Sequence, residues 1–337
     1  MFCTLTHHRS ILALSAGVCA LTLAGGVEAK GKFVKFDPQH ITEIHVTGIS
    51  NAGVIAGYYN DGSYTHGFLR AADGTFTVFD PPGSQGTLVN GMNNKGVTVG
   101  SYDDPSGGGP AFVRNARGKY ATFAVGNGAV ANAVNDVNVT IGDYEDPVTG
   151  AFPGFIRDAH GGITAFDVVG DQGGTHPFGI NIGGVITGDY YDQNDISHGF
   201  VRDAGGAITT IDYPGAVDTH ASAINTTGTI TGYYSDGTYY HGFLRSADGA
   251  TFTPVDVPGD AGGTVATCIN AKGEIAGYYA AQSGGASLGF VRTVAGKFTT
   301  IDPKNSQYTV PTSINSTRTV AGAASISGLN YGFLQSK

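Results

Sequence analysis

The sequence predicts an all-β fold: a seven-bladed β-propeller with four-stranded blades, closed by its own N-terminal strand. Three observations carry that reading: a long internal repeat, a strand-and-turn grammar inside each copy, and a last copy whose missing piece stands at the other end of the chain. One marker of the repeat is an aliphatic residue or Met between a small residue and usually Asn, as in Gly91-Met92-Asn93. Its centre falls at Ile49, Met92, Val134, Ile180, Ile224, Ile269 and Ile314, spaced 42 to 46 residues apart. One propeller blade takes about 40–45 residues. Two further markers follow in fixed order, Gly-x-Tyr and then Gly-Phe-aliphatic-Arg.

The fifth copy shows how each blade is expected to be built. Thr219–Asn225 reads as an inner strand, Thr226-Thr227-Gly228 as a tight turn, and Thr229–Tyr234 as a second strand. Ser235–Tyr240 is a polar loop, His241–Arg245 a third strand, Ser246–Gly249 a turn and Thr251–Asp256 a fourth strand. Val257-Pro258-Gly259 then crosses to the next blade. β-Branched and aromatic residues alternate with small ones, and Gly, Asn and Asp punctuate them, as strands and turns require. The seventh copy ends at Tyr331-Gly332-Phe333-Leu334 without a fourth strand. Gly31-Lys32-Phe33-Val34-Lys35-Phe36-Asp37 matches Gly296-Lys297-Phe298-Thr299-Thr300-Ile301-Asp302 and supplies that strand. Ring closure is the expectation, because it leaves no exposed sheet edge between the two ends. A linear β-solenoid is the alternative; it would need capping segments that the sequence does not show.

The composition bounds the function. Hydrophobic residues make up 41% of the 337, ample for a core, while charged residues reach only 13%, about half the usual ~25%. Tyr (17) and Phe (18) recur at regular intervals, which favours short strands over a disordered chain. A net charge of -9 argues against nucleic acid or an anionic membrane surface as partner and suits attraction of cations.

Residues 1–29 read as a secretory signal. His7, His8 and Arg9 precede an apolar stretch, Ile11 to Gly26, too short for a comfortable span of roughly 20 residues. Val27-Glu28-Ala29 offers a cleavage site, and an uncleaved anchor is the alternative. The expectation is one domain, 30–337, secreted or periplasmic, monomeric and without a membrane span in the mature chain. Cys19 follows Val18 rather than a small residue, which argues against lipid anchoring. Cys3 and Cys19 depart with the signal, so Cys268 has no internal disulfide partner. It fills a slot held by Gly, Ala or Ser in other copies, as a small buried residue would.

The repeat resembles the bacterial extracellular HAF-repeat family, whose units carry Ile-Asn, Gly-x-Tyr, His-Gly-Phe, Phe-Thr-x-Ile-Asp and Pro-Gly. The matching residues include His66-Gly67-Phe68-Leu69, His198-Gly199-Phe200-Val201, His241-Gly242-Phe243-Leu244, Ile224-Asn225 and Ile211-Asp212-Tyr213-Pro214-Gly215. Copies two and three depart with Pro110 and Pro153 for His, copies six and seven with Leu288 and Tyr331. The resemblance spans residues 31–337. It implies an exported repeat protein and brings no catalytic residue with it.

If the strands run as expected, the loops after Gly-x-Tyr and the crossovers share one face. That face collects Asp61, Asp192, Asp236, His66, His198 and His241 as candidate ligand-binding residues. Polar loops at one end of a rigid ring are where propellers bind partners. Residues present in nearly every copy have a simpler reading. Asp80, Asp167, Asp212, Asp256 and Asp302 end outer strands where a carboxylate caps turn N–H groups. Arg70, Arg114, Arg157, Arg202, Arg245 and Arg292 suit packing between blades.

Residues that break the repeat point more directly to function. Three positions before the small residue of the first marker stand His45, Leu88, Val130, His176, His220, Val265 and Val310. His45, His176 and His220 could converge on the channel, where three imidazoles suit a zinc ion. Asp192, Asn194 and Asp195 could serve calcium, although no EF-hand spacing is present. Gly285-Ala286-Ser287-Leu288-Gly289 spells a nucleophile elbow but enters a strand, not a helix. The sequence therefore favours a binding module for an extracellular glycan or protein, with no cofactor required. A polysaccharide-active lyase or hydrolase at the channel mouth is the alternative.

Overall fold

The computed structural model describes residues 31–38, 43–105, 107–281 and 285–337; the expected signal segment lies outside them. All regular structure among these residues is β. The first strand, β1 (Phe33–Phe36), precedes β2 (Glu43–Ile49), β3 (Ile55–Asn60), β4 (Thr65–Arg70) and β5 (Phe76–Phe79). The second copy forms β6 (Gly86–Met92), β7 (Thr98–Asp103), β8 (Ala111–Arg114) and β9 (Tyr120–Phe123). The third forms β10 (Ala129–Val134), β11 (Thr140–Tyr144), β12 (Gly154–Arg157) and β13 (Ile163–Phe166). The fourth forms β14 (Thr175–Ile180), β15 (Ile186–Tyr191), β16 (Ser197–Arg202) and β17 (Ile208–Ile211). The fifth forms β18 (Asp218–Ile224), β19 (Ile230–Ser235), β20 (Tyr240–Arg245) and β21 (Phe252–Pro254). The sixth forms β22 (Thr264–Ile269), β23 (Ile275–Ala280), β24 (Ser287–Arg292) and β25 (Phe298–Ile301), and the last β26 (Ser306–Ile314), β27 (Val320–Ile326) and β28 (Leu329–Gln335).

Copies one to five each make a four-stranded antiparallel sheet in chain order. The sixth and seventh are joined by one parallel bridge, Ser287 to Tyr308, into an eight-stranded sheet with β1 at its far edge. In the fifth copy the first three strands start within about a residue of the expectation. The fourth is shorter: past Pro254, opposite Phe243, Val255 N–H still donates to the Gly242 carbonyl at 2.8 Å, but Gly242 N–H turns to Asp256 Oδ1 at 3.1 Å.

Each marker has a steric reason. Every inner strand carries a register shift, such as Pro177/Gly179 in β14 and His220/Ala223 in β18, and a bulge of this kind bends the strand. The bend brings the inner strand's carbonyl against the Gly of Gly-x-Tyr. A Cβ on Gly188 would run into the carbonyl oxygen of His176, on Gly232 into that of His220 and on Gly277 into that of Val265. The Phe of the third marker is fully buried in all seven copies: Phe68, Phe112, Phe155, Phe200, Phe243, Phe290 and Phe333. Cys268 is buried among Ala276, Val291 and Ile314, as expected, and burial pushes its thiol up to about 12.

Neighbouring sheets are tied by two recurring contacts. Asn135 Oδ1 accepts the N–H groups of Val137 (3.1 Å) and Val139 (2.9 Å) in its own turn. Its amide then donates to the Asn181 carbonyl of the next sheet at 3.0 Å. Asn93 donates likewise to Asn135 at 2.9 Å, Asn270 to Asn315 at 2.9 Å, and Asn315 to Ser50 in the first sheet at 3.1 Å. In the second contact, the Arg closing a third strand lies over the Phe of the preceding fourth strand. Arg114 lies 4.4 Å from the Phe79 centroid, Arg157 5.0 Å from Phe123 and Arg202 5.3 Å from Phe166. Arg70 makes this contact with Phe36 of β1, at 5.0 Å. β1 itself pairs antiparallel with β28, Phe36 opposite Gly332, and Phe33 stacks on Phe333 at 5.3 Å.

Candidate functional site at the loop face

Three of the predicted site histidines repeat one geometry. His66 lies between Asp80, the residue just after β5, at 2.8 Å and the loop residue Asp61 at 3.4 Å, with its ring against Tyr59. His198 stands between Asp212 (2.9 Å) and Asp192 (3.8 Å), and His241 between Asp256 (3.2 Å) and Asp236 (3.4 Å). Each imidazole thus ties the second-to-third-strand loop to the crossover, which places both on one end of the sheets. The loop carboxylates also organise their own turns: Asp61 Oδ1 accepts from Ser63 and Tyr64, and Asp192 Oδ1 from Asn194 and Ile196. These contacts are Asx turns and local clamps. Their recurrence in three copies gives them a role in shaping the face.

The symmetry-breaking histidines behave differently. His45 stays apart, stacked on Tyr58 at 4.5 Å and paired with Glu43 at 2.7 Å. His176 on β14 and His220 on β18 each reach back to a carboxylate of the preceding sheet. His176 Nδ1 lies 3.7 Å from Asp143, and His220 Nδ1 lies 2.6 Å from Asp189. Asp143 also accepts the Asn132 amide at 2.7 Å. The three imidazoles therefore do not form the convergent trio that a zinc site would need. Among the described residues no group of three or more His, Cys, Asp or Glu side chains is arranged to hold a metal ion.

His220 is the centre of the better-built half. Its ring stacks on Tyr233 at 4.6 Å, Ser197 Oγ lies 3.2 Å from Nδ1, and Nε2 faces Asp218 at 3.8 Å. Asp189 is 2% exposed, and its second oxygen, Oδ1, has no hydrogen-bond partner. A buried carboxylate with one donor is costly unless charge nearby compensates it. Burial pulls the His176 pKa down, but Asp143, then Asp189 and Asp171, outweigh it and hold the imidazole above its ordinary value. Tyr191, whose ring meets His176 edge-on, is pushed up to about 12 by burial and then by Asp189, Asp218 and Tyr240. The Asp189 contact holds His220 by Nδ1 and leaves Nε2 directed toward Asp218.

Asp143, Asp189, Ser197, Asp218 and Tyr233 were not among the predicted site residues. Three of them, Asp143, Asp189 and Tyr233, had a legible signal. The middle residue of Gly-x-Tyr runs Tyr58, Ser101, Asp143, Asp189, Tyr233, Tyr278 and, in the degenerate last copy, Ala323. It breaks symmetry as the histidines do, and the sheets place it directly opposite them: His176 opposite Asp189, His220 opposite Tyr233.

No family model matches the chain, and no curated protein matches it in sequence. Solved structures do match in fold. A streptogramin B lyase superposes with a TM-score of 0.60 at 11% identity, covering 91% of this chain and 98% of that one. The β-propeller domain of the Trilobed protease from Pyrococcus furiosus gives 0.60 at 8% identity, over 88% of this chain and 94% of that one. A puromycin hydrolase gives 0.60 at 10% identity, over 93% of this chain and 55% of that one. At these identities the likeness establishes the β-propeller class of fold and nothing of the chemistry.

Proposed function

We propose that the chain is a seven-bladed propeller, closed between β1 and β28, that serves outside the cytoplasm as a binding module for a hydroxyl-rich glycan. The Arg70–Phe36 contact and the Asn315–Ser50 hydrogen bond support closure, because they repeat between the last and first copies what joins the others. Membership of the HAF-repeat family, with export through residues 1–29, belongs to the same reading. One observation carries the binding role: the symmetry of the ring is broken by polar groups at adjacent copies on the loop face, around His176, Asp189 and His220. Structural needs alone would repeat in every copy, and these do not. Tyrosines there can stack on sugar rings while carboxylates accept from hydroxyls. A glycan array on the full chain tests this. Binding that is lost in Tyr240→Ala and His220→Ala supports the site, and binding indifferent to both removes it.

A second reading, a lyase or hydrolase at the same place, is favoured by the 2.6 Å Asp189–His220 contact. A carboxylate fixing one imidazole nitrogen leaves the other positioned as a general base. Release of new reducing ends from a bound glycan, abolished by His220→Ala with binding retained, would establish turnover.

A further inference from the structure

The charges on this molecule are sorted by face. The loop face carries Asp61, Asp103, Asp146, Asp192, Asp236 and Asp260 in the loops and crossovers, and Asp189 and Asp218 beside the inner strands. Against them stand Lys304, in the crossover before β26, and Lys35 on the outer strand β1. The arginines lie at the opposite end, where Arg70, Arg114, Arg157, Arg202, Arg245 and Arg292 close their third strands and Asp73, Asp158, Asp203 and Asp248 follow in the turns. A face of one sign raises the local concentration of ligands of the other.

Within that face the surroundings of His220 add specific features. Asp189 lies against one nitrogen of its ring and Asp218 near the other, and Oδ1 of each carboxylate lacks a hydrogen bond. Two carboxylates thus flank one imidazole. Aromatic rings border it: Tyr233 lies on the imidazole, and Tyr240, 45% exposed, meets Tyr233 edge-on at 5.3 Å. The Asp218 carboxylate is about a quarter exposed beside these rings, and an ammonium group could donate to it while lying against the ring faces. An exposed Tyr239 next to Tyr240 extends the apolar surface outward, where a flat sugar ring can lie.

We propose that the ligand is an amino-sugar glycan, its primary ammonium held at Asp218 with Asp189 behind it, against the rings of Tyr233 and Tyr240. This rests on the glycan-binding reading and names the chemistry of the ligand. A neutral sugar offers no charge to the acidic face and an acidic one adds repulsion, so the cationic sugar is the preferred one.

The test is calorimetric titration of the full chain with glucosamine oligomers, with N-acetylglucosamine oligomers of the same length, and with trilysine. The expected result is binding of the glucosamine oligomer about tenfold tighter than its acetylated counterpart, weakening steeply as salt shortens the range of the charges. Asp218→Asn, at a partly exposed position, is expected to reduce that preference to about twofold or less while the melting curve is kept. Tyr240→Phe is expected to retain it and Tyr240→Ala to weaken it. Equal binding of both oligomers overturns the ammonium assignment and leaves the glycan module standing. Failure of every oligomer overturns the module as well, and tight trilysine binding without sugar binding moves the site to a basic peptide and overturns the sugar.

Discussion

The glycine of Gly-x-Tyr shows how a single missing atom sets the geometry of a whole repeat. A Cβ on Gly277 would meet the Val265 carbonyl oxygen and the Ala266 Cα, both backbone, with the Phe290 ring at 3.0 Å. Backbone cannot swing aside as a side chain can, so Gly277→Ala is expected to cost ~3 kcal/mol, the upper end for overpacking a core. Gly215→Ala is the comparison, because that crossover glycine has φ +83° and nothing within 4 Å of the added atom. Its cost is the left-handed backbone alone, ~1–2 kcal/mol. Denaturant melts of the two variants rank them, and equal losses would remove the steric account. The same scale explains what the sequence hid. His176 and His220 stood out because imidazole replaces an aliphatic in a repeating column. Asp189 also breaks its column, but its partner could not be read from the sequence, because His220 is 31 residues away in the next sheet. Asp218 opens β18, in a column that is mostly Gly but also holds Glu43 and Tyr308.

Among the elements, the clamps centred on His66 and His241 make stability depend on pH in a calculable direction. His66 and His241 have pKa values raised above their ordinary 6.5. In each, burial opposes and two carboxylates prevail, Asp80 then Asp61 for His66, Asp256 then Asp236 for His241. A base whose folded pKa is raised stabilises the fold fully below its unfolded value and loses that contribution as pH rises through the folded one. The loop carboxylates run the other way. Asp61 and Asp236 are lowered from 3.8, first by the N–H groups of their Asx turns and also by the histidines. Their contribution is present above 3.8 and fades as pH falls through the depressed values. The two effects overlap between about 4 and 6.5, so the melting temperature is expected to peak in that interval and to decline toward pH 8. Replacing His66 and His241 by Gln should flatten the alkaline side of the curve; an unchanged slope would show that the clamps do not couple to folding. The His, Gly and Phe of these elements were legible from recurrence alone, whereas the role of each His as a tie between loop and crossover was not, since Asp80 and Asp61 lie on opposite sides of it in the chain.

For the whole molecule, the circular offset between the seventh copy and residues 31–37 was the most legible feature, because missing and surplus strands match in sequence. What periodicity could not supply was the chemistry of the seam. Phe36 packs against Phe68 at 6.4 Å and Phe76 at 6.0 Å, and Arg70 lies over it. The first strand thus joins the core of the first sheet as well as the edge of the last. Removal of residues 31–38 strips β28 of its partner, uncovers Phe333 and leaves the Arg70 guanidinium without its ring. Loss of a buried Phe alone costs about 3–5 kcal/mol, a large part of a total stability of roughly 5–15 kcal/mol. The truncated chain is therefore expected to melt at much lower denaturant and to associate through the bared β28 edge, which offers unpaired N–H and C=O groups to another copy. Light scattering after size exclusion checks the second point. Adding a peptide of residues 31–38 in trans is expected to restore the monomer and much of the stability, whereas the same peptide with Phe33 and Phe36 replaced by Ala is not. A truncated chain that stays monomeric and melts like the intact one would show that the fold does not depend on its first strand, and the proposed closure would have to rest on the Asn315–Ser50 contact alone.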